Sequence, residues 1–350
     1  MLNKREKGKS LLLRTQKSIF YYFSASLLVL SFVIFLLQGC SDTAKNIILF
    51  ADASTVWWTA PTIIARTHDL FTKEGLTVRT FDVTDGLASK NAVVSGNADI
   101  GLVASTPLAI GASKKEKIVI LGSYVESSSL LALISRISTI EKSSLSDLKK
   151  SLKVGYVPQT ISEFYLLQYL RKHNLFSIKD EFEKLALPPP SIPIVFQKKD
   201  INTVVIWEPF ATKIINPPKG TVEEGLTVIR DPELYTLRLY LITRPDVWEK
   251  KRKAVEKFIR AVAHAGEEIQ NNKLSIRKEI ERYFDYPDSW LEERWEDVDF
   301  SFKTDVDKIK DLILQDARLA KEVGILEKEP DIAYMLTEVS KIESILKKTQ

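Results

Sequence analysis

The sequence predicts an α/β chain built as two similar lobes whose strand ends face a shared cleft. Three observations predict it. The stretch Asp200-Ile201-Asn202-Thr203-Val204-Val205-Ile206-Trp207-Glu208-Pro209-Phe210 sets β-branched and aromatic residues, suited to a buried strand, before a polar corner. Pro209 has a fixed φ and no N–H to donate, which suits the start of a helix through Phe210–Ile215. Asp99-Ile100-Gly101-Leu102-Val103-Ala104-Ser105-Thr106-Pro107 repeats the pattern in the first half of the chain. Around both stretches, short apolar runs alternate with amphipathic ones as βα units, giving a mostly parallel sheet. In open α/β sheets the corner at the carboxyl end of a strand is where ligands bind.

The 350 residues leave room for two lobes, and 45% hydrophobic with 27% charged residues is ordinary globular composition. The formal charge is +4, part of it in Lys4, Arg5, Lys7, Lys9, Arg14 and Lys17. Elsewhere acids and bases intermingle, so no nucleic-acid-binding stripe is expected. An apolar run from about Ile19 to Leu37 follows and ends at Leu37-Gln38-Gly39-Cys40. A basic segment, an apolar segment and a small residue before the cut make an export signal over residues 1–39. Leu-x-Gly-Cys resembles the bacterial lipobox, after which the cysteine is lipidated. Cys40, the sole cysteine of the sequence, stands where that requires, with 40–46 as a tether. The alternative is an uncleaved transmembrane anchor. Both place the folded part outside the cytoplasm. One cysteine allows neither an intrachain disulfide nor a cysteine-based metal cluster.

In order, Ile47–Phe50 reads as the first strand, with Ala51–Trp58 a loop at its carboxyl end. A helix from about Ala60 sets Ile63, Ile64, Thr67, Leu70 and Phe71 on one face, and Gly75 ends it with a left-handed cap. Leu76–Phe81 alternates as a second strand. Asp85-Gly86 opens a helix ending near Ser95-Gly96, and Ile118–Leu121 is the strand after the Asp99 corner. Ser123–Ser129, short and polar, reads as the first crossing between lobes. Leu130–Ile134 opens the second lobe, Ser144–Lys150 is a brief helix and Val154–Val157 a strand. Thr160-x-x-Glu163 fits a capping box before a helix carrying Leu166, Leu167 and Leu170. Pro188–Pro190 is a stiff turn. Leu237–Ile242 reads as the second lobe's returning strand, with the second crossing near Thr243–Pro245. From Asp246 the pattern is helical, with Val255, Phe258, Ile259 and Val262 as a stripe. Trp290 to Trp295 is expected to pack rather than to bind metal.

Lys73-Glu74-Gly75-Leu76, Ser95-Gly96-Asn97-Ala98-Asp99-Ile100-Gly101, Ser146-Asp147-Leu148-Lys149 and Ile206-Trp207-Glu208-Pro209-Phe210 stand in an order that resembles the nitrate/sulfonate/taurine and thiamine-precursor binding proteins of ABC importers. The resemblance runs from about Asn46 to beyond Ile325. It implies the periplasmic-binding-protein clamshell with two crossovers, a type II arrangement: 47–125 and 245–350 form lobe 1 and 126–244 form lobe 2. It also implies a small-molecule ligand, a permease with its ATPase as partner, and a monomer. No cofactor is implied. Asn202 stands where an acidic residue is expected.

Four corners are expected to line the cleft: Ser54, Thr55, Trp57 and Trp58; Ser105 and Thr106; Gln159, Thr160 and Ser162; Trp207 and Glu208. Asp85 and Gly86 add an edge. Hydroxyls and the unpaired N–H groups of helix starts can hold an anion without a lysine. Glu208 repels anions, and the tryptophan faces suit a ring or alkyl group, so a small organic solute is favoured over bare nitrate. Alternation along an extended segment sends Trp57 and Trp58 to opposite sides, Trp58 towards the cleft. Ser105 and Thr106 could equally be helix caps. Two other classes compete with an importer component. One is an anchored solute sensor. The other is an enzyme on the same fold, disfavoured by only three scattered histidines (His68, His173, His264), no cysteine run and no Gly-x-Ser-x-Gly elbow.

Overall fold

Two five-stranded sheets, each backed by helices, carry the chain in the computed structural model, which describes residues 46–138, 140, 144–217 and 222–347. The expected signal over 1–39 and the lipidation site Cys40 lie outside the described residues, as does the tether up to Asn46. Among the described residues no helix is long and apolar enough to cross a membrane. The strands are β1 (Ile47–Asp52), β2 (Thr77–Asp82), β3 (Ile100–Ala104), β4 (Val119–Ser127), β5 (Leu131–Ser135), β6 (Lys153–Tyr156), β7 (Glu183–Ala186), β8 (Thr203–Trp207), β9 (Thr227–Ile229) and β10 (Leu237–Thr243). The helices are α1 (Ala60–Thr67), α2 (Leu70–Lys73), α3 (Gly86–Ser95), α4 (Ser105–Ser113), α5 (Leu145–Ser151), α6 (Ile161–Lys172), α7 (Ile192–Gln197), α8 (Phe210–Ile215), α9 (Pro245–Asn271), α10 (Lys273–Tyr283), α11 (Glu292–Trp295), α12 (Val306–Glu322) and α13 (Val339–Lys347).

The first sheet runs β2-β1-β3-β10-β4 and the second β7-β6-β8-β5-β9. In each, βα units supply parallel neighbours (β1 with β3; β6 with β7 and β8), while the strand arriving from the other sheet lies antiparallel: β10 between β3 and β4, and β5 beside β8. The sheets are therefore mixed rather than mostly parallel.

This topology moves both expected crossings. Leu237–Ile242 was expected as the returning strand of lobe 2, yet the ladder of β10 with β4 runs from Leu237–Ser127 to Thr243–Val119, so it belongs to the first sheet. An alternating apolar run specifies a strand but not its partner. The first crossing shortens to 128–130, because β4 continues through Ser127. The backbone of β4 is paired on both sides, by β10 and by bridges from Ser123 to Lys303 and Glu126 to Asp299. Gly122 makes that approach possible: at φ 151° it occupies a region that disfavours side chains, and a Cβ there would meet Phe302 at 2.5 Å. The second crossing is 230–236, not Thr243–Pro245. The second sheet accordingly takes residues from about 128 to 236.

Equivalent residues lock the two corner strands. Asp99, just before β3, accepts the Leu49 N–H of β1 at 2.9 Å. Asn202, just before β8, accepts the Lys153 N–H of β6 at 3.0 Å and donates to the Ser151 carbonyl at 2.6 Å. The amide thus does the acid's work, with no cation needed; Asp99 also takes Lys251 at 2.7 Å. The helical stripe Val255, Phe258, Ile259 and Val262 is buried, with Phe258 against Phe50 and Phe71 at 5.0 and 4.9 Å between ring centres. Burying each such aromatic contributes about 1.5–3 kcal/mol. Trp295 packs between Trp57 and Phe300. The proline turn becomes a short 3₁₀ turn, Pro189–Ser191, leading into α7.

Candidate functional site

A buried serine pins one helix of each lobe across its sheet. In the first, Ser89 of α3 donates to the Ala51 carbonyl of β1 at 2.7 Å and accepts the Leu102 N–H of β3 at 2.8 Å. The helix can come this close because Gly101 has no side chain; a Cβ there would lie 2.6 Å from the Ser89 hydroxyl. In the second, Ser162 of α6 donates to the Val205 carbonyl of β8 at 2.6 Å and accepts the Val157 N–H at 3.0 Å. Both devices hold a helix start over the carboxyl ends of strands.

Between these starts lies a cavity walled by both lobes. It encloses about 420 Å³ with its open mouth. The first-lobe wall comprises Ala53, Val56 and Trp58 after β1, Thr84 to Leu87 at the start of α3, Ala104 and Pro107 at the start of α4, and Leu237 and Leu239 of β10. Thr160 and Ile161 at the start of α6 and Trp207 at the end of β8 come from the second. Three helix N-termini therefore border one small, mainly apolar space. First-turn N–H groups have no partner within their own helix. The caps differ: Asp85 accepts the Ala88 N–H at 2.9 Å, Thr160 caps Ser162 at 3.2 Å, and α4 follows Ala104 with no side-chain cap. The capping box at Thr160 is modified, since Glu163 reaches the Gln159 N–H at 2.8 Å instead of the Thr160 N–H.

Of the expected site residues, Trp58, Asp85, Gly86, Thr160 and Trp207 line this cavity. Trp58 also crosses it: its indole N–H donates to the Glu208 carbonyl at 2.7 Å, joining the lobes. Trp57 faces the other way, its ring 5.8 Å from Trp295. Ser54 sits at the surface bonded to Asp82, while Thr55 and Gln159 are exposed, the latter turned outward at φ 58°. Ser162 is spent on pinning α6. Ser105 and Thr106 are fully buried behind the wall, where the Ser105 hydroxyl donates to Asp316 of α12 and lies 3.0 Å from the Tyr235 hydroxyl.

Glu208 does not repel anions from the cleft. Its carboxylate is fully buried, paired with Arg230 and accepting the Thr212 N–H at 3.0 Å. The wall residues that sequence reasoning missed are nearly all apolar, and Leu237 and Leu239 reach the cavity only because β10 enters the first sheet.

Among the described residues, Asp85 is the one ionisable side chain on the wall. A like charge brought to about 4 Å from it meets about 4 kcal/mol of repulsion at an effective dielectric of about 20. A helix terminus supplies about 0.3–1 kcal/mol, so the remaining two cannot offset that for a bare anion touching Asp85. Two further carboxyls behind the wall favour the neutral form. Burial pushes Asp52, next to Ala53, up to about 7 despite the nearby Arg66, and pushes Asp316 up to about 6 despite its bond from Ser105.

Comparison with known proteins bears on this geometry. The NMT1-like family model matches residues 55–282. A protein of Brucella abortus (strain 2308) named only as a binding protein is 27% identical over 209 residues, 60% of this chain and 62% of that one. The chain thus spans under two thirds of that relative's length. The taurine-binding periplasmic protein of Escherichia coli (strain K12) is 27% identical over 245 residues, 67% of this chain and 66% of that protein. The crystal structure of the periplasmic aliphatic sulphonate binding protein SsuA from Escherichia coli matches with a TM-score of 0.64 at 18% identity, over 83% of this chain and 91% of that one.

Proposed function

The chain belongs to the NMT1-like family, and from that premise we propose that it is the solute-binding component of an ABC importer, working outside the cytoplasm. The two-sheet, two-crossing fold is that of periplasmic binding proteins, and the relatives whose ligands are named take taurine or aliphatic sulphonates. The observation that carries the reading is the cavity itself, walled by Trp58 and Asp85 from one lobe and by Trp207 and Thr160 from the other. A solute there touches both lobes, so its binding energy draws them together. The closed form then docks on a permease with its ATPase, and Cys40 serves as the lipid anchor.

The solute is a small organic molecule with an apolar or planar body. The indole faces and aliphatic lining match such a body, whereas bare nitrate would leave the apolar wall dry and unfilled. A thermal-shift screen of the purified chain over taurine, alkanesulfonates, nitrate, bicarbonate, pyrimidines and aromatic carboxylates tests this. A ligand present at about 100 times its Kd stabilises by about 2.7 kcal/mol. At least one organic solute is expected to raise Tm and to be recovered unchanged, with no shift from nitrate. A shift from nitrate alone, or a solute recovered chemically altered, would contradict the proposal.

A further inference from the structure

We infer that the solute carries a cationic, hydrogen-donating group, an ammonium or its like, and that this group seats against Asp85. The inference deepens the solute-binding reading and rests on it. Among the described residues that line the cavity, Asp85 is the only ionisable one and none is basic. One carboxylate oxygen accepts the Ala88 N–H at 2.9 Å and the other the Thr84 hydroxyl at 3.2 Å. A carboxylate offers about four acceptor directions, so about two remain.

Glu208, behind the wall, is answered by Arg230. Among the described residues no cation is paired with Asp85. The two indoles complete the match, because Trp58 and Trp207 stand on the same cavity and an indole face attracts an organic cation. A wall of one carboxylate, two tryptophans and aliphatic groups is complementary to an amine-bearing solute and mismatched to an anion that lacks one.

Matched solutes test this. Taurine and ethanesulfonate share a two-carbon chain and a sulfonate and differ in the amine; β-alanine and propionate form a carboxylate pair. Titration calorimetry of the whole chain is expected to show each amine-bearing member binding about tenfold or more tightly than its partner, as a hydrogen bond to a charged group implies. Asp85→Asn is expected to abolish that preference. Asparagine and serine both cap helices well, so α3 keeps its start in Asp85→Asn and Asp85→Ser, and circular dichroism of both variants checks it. Equal or tighter binding of the amine-free members, or a preference that survives in both variants, overturns the inference and leaves solute binding standing. If no member of either pair binds while the screen of the preceding section finds an amine-free ligand, the inference is likewise overturned. No heat or shift from any solute in either experiment counts against solute binding itself.

Discussion

The corner after β3 and the corner after β8 look alike in sequence, and both are tied from behind to the same connecting segment, 230–236. They are tied by different chemistry. At the first, the Ser105 hydroxyl joins Tyr235 of that segment to Asp316 of α12, a buried hydroxyl–carboxyl network. At the second, the Glu208 carboxylate pairs with Arg230, whose guanidinium also donates to the Ser129 carbonyl of the first crossing at 2.9 Å. One ion pair thus touches both crossings and the strand end that carries Trp207. The polar residue at each corner faces the crossings, and its neighbours face the cavity: Ala104 and Pro107 on one side, Trp207 on the other. A polar corner in sequence marks where a lobe is fastened as readily as where a ligand sits.

The sharpest way to break the comparison is to remove the cation at the second corner. Arg230→Ala leaves Glu208 buried without its partner, and losing one half of a buried pair costs about 3–5 kcal/mol. Urea unfolding should show a loss of that size. A loss under about 1 kcal/mol, the range of surface pairs, would mean that the pair is not a structural tie.

The first corner should instead respond to pH. Asp316 has its folded pKa raised from 3.8 to about 6, so its favourable contribution is complete below about 4 and is lost as pH rises through about 6. A shift of this size corresponds to something on the order of 3 kcal/mol. Stability measured from pH 4 to 8 should fall across that window in the wild type, and Asp316→Asn should remove that step. Asp52, held up to about 7, gives a second loss of the same sign that Asp316→Asn leaves in place. A wild-type curve that rises from pH 5 to 7 would contradict both assignments.

Much of the frame was legible in the chain. The Asp99 and Asn202 positions, the β-branched runs after them and the prolines specified both strand–helix corners. Trp58 does reach the cavity and Trp57 the core, but from a 3₁₀ turn, Trp57–Thr59, and not from the extended segment on which the alternation argument relied. Three features were not legible, each because it depends on a distant partner. The pattern of Leu237–Thr243 fits either sheet, and only pairing with β3 and β4 decides. Glu208 read as a repelling charge because Arg230 lies in a segment with no periodic pattern. Ser105 read as either a ligand contact or a helix cap and is neither, because α12, which brings Asp316 against it, gives no sign in sequence of where it packs.

The central claim is that a solute is held by both lobes at once, and titration calorimetry of Trp207→Ala with the tightest-binding member of the solute screen tests it most directly. Trp207 ends β8 of the second lobe and faces Asp85 and Trp58 of the first across the cavity. Losing an aromatic contact of this kind removes about 1–3 kcal/mol, so the affinity should fall about tenfold or more while the fold persists. Unchanged affinity in a folded Trp207→Ala protein would show that the solute binds elsewhere.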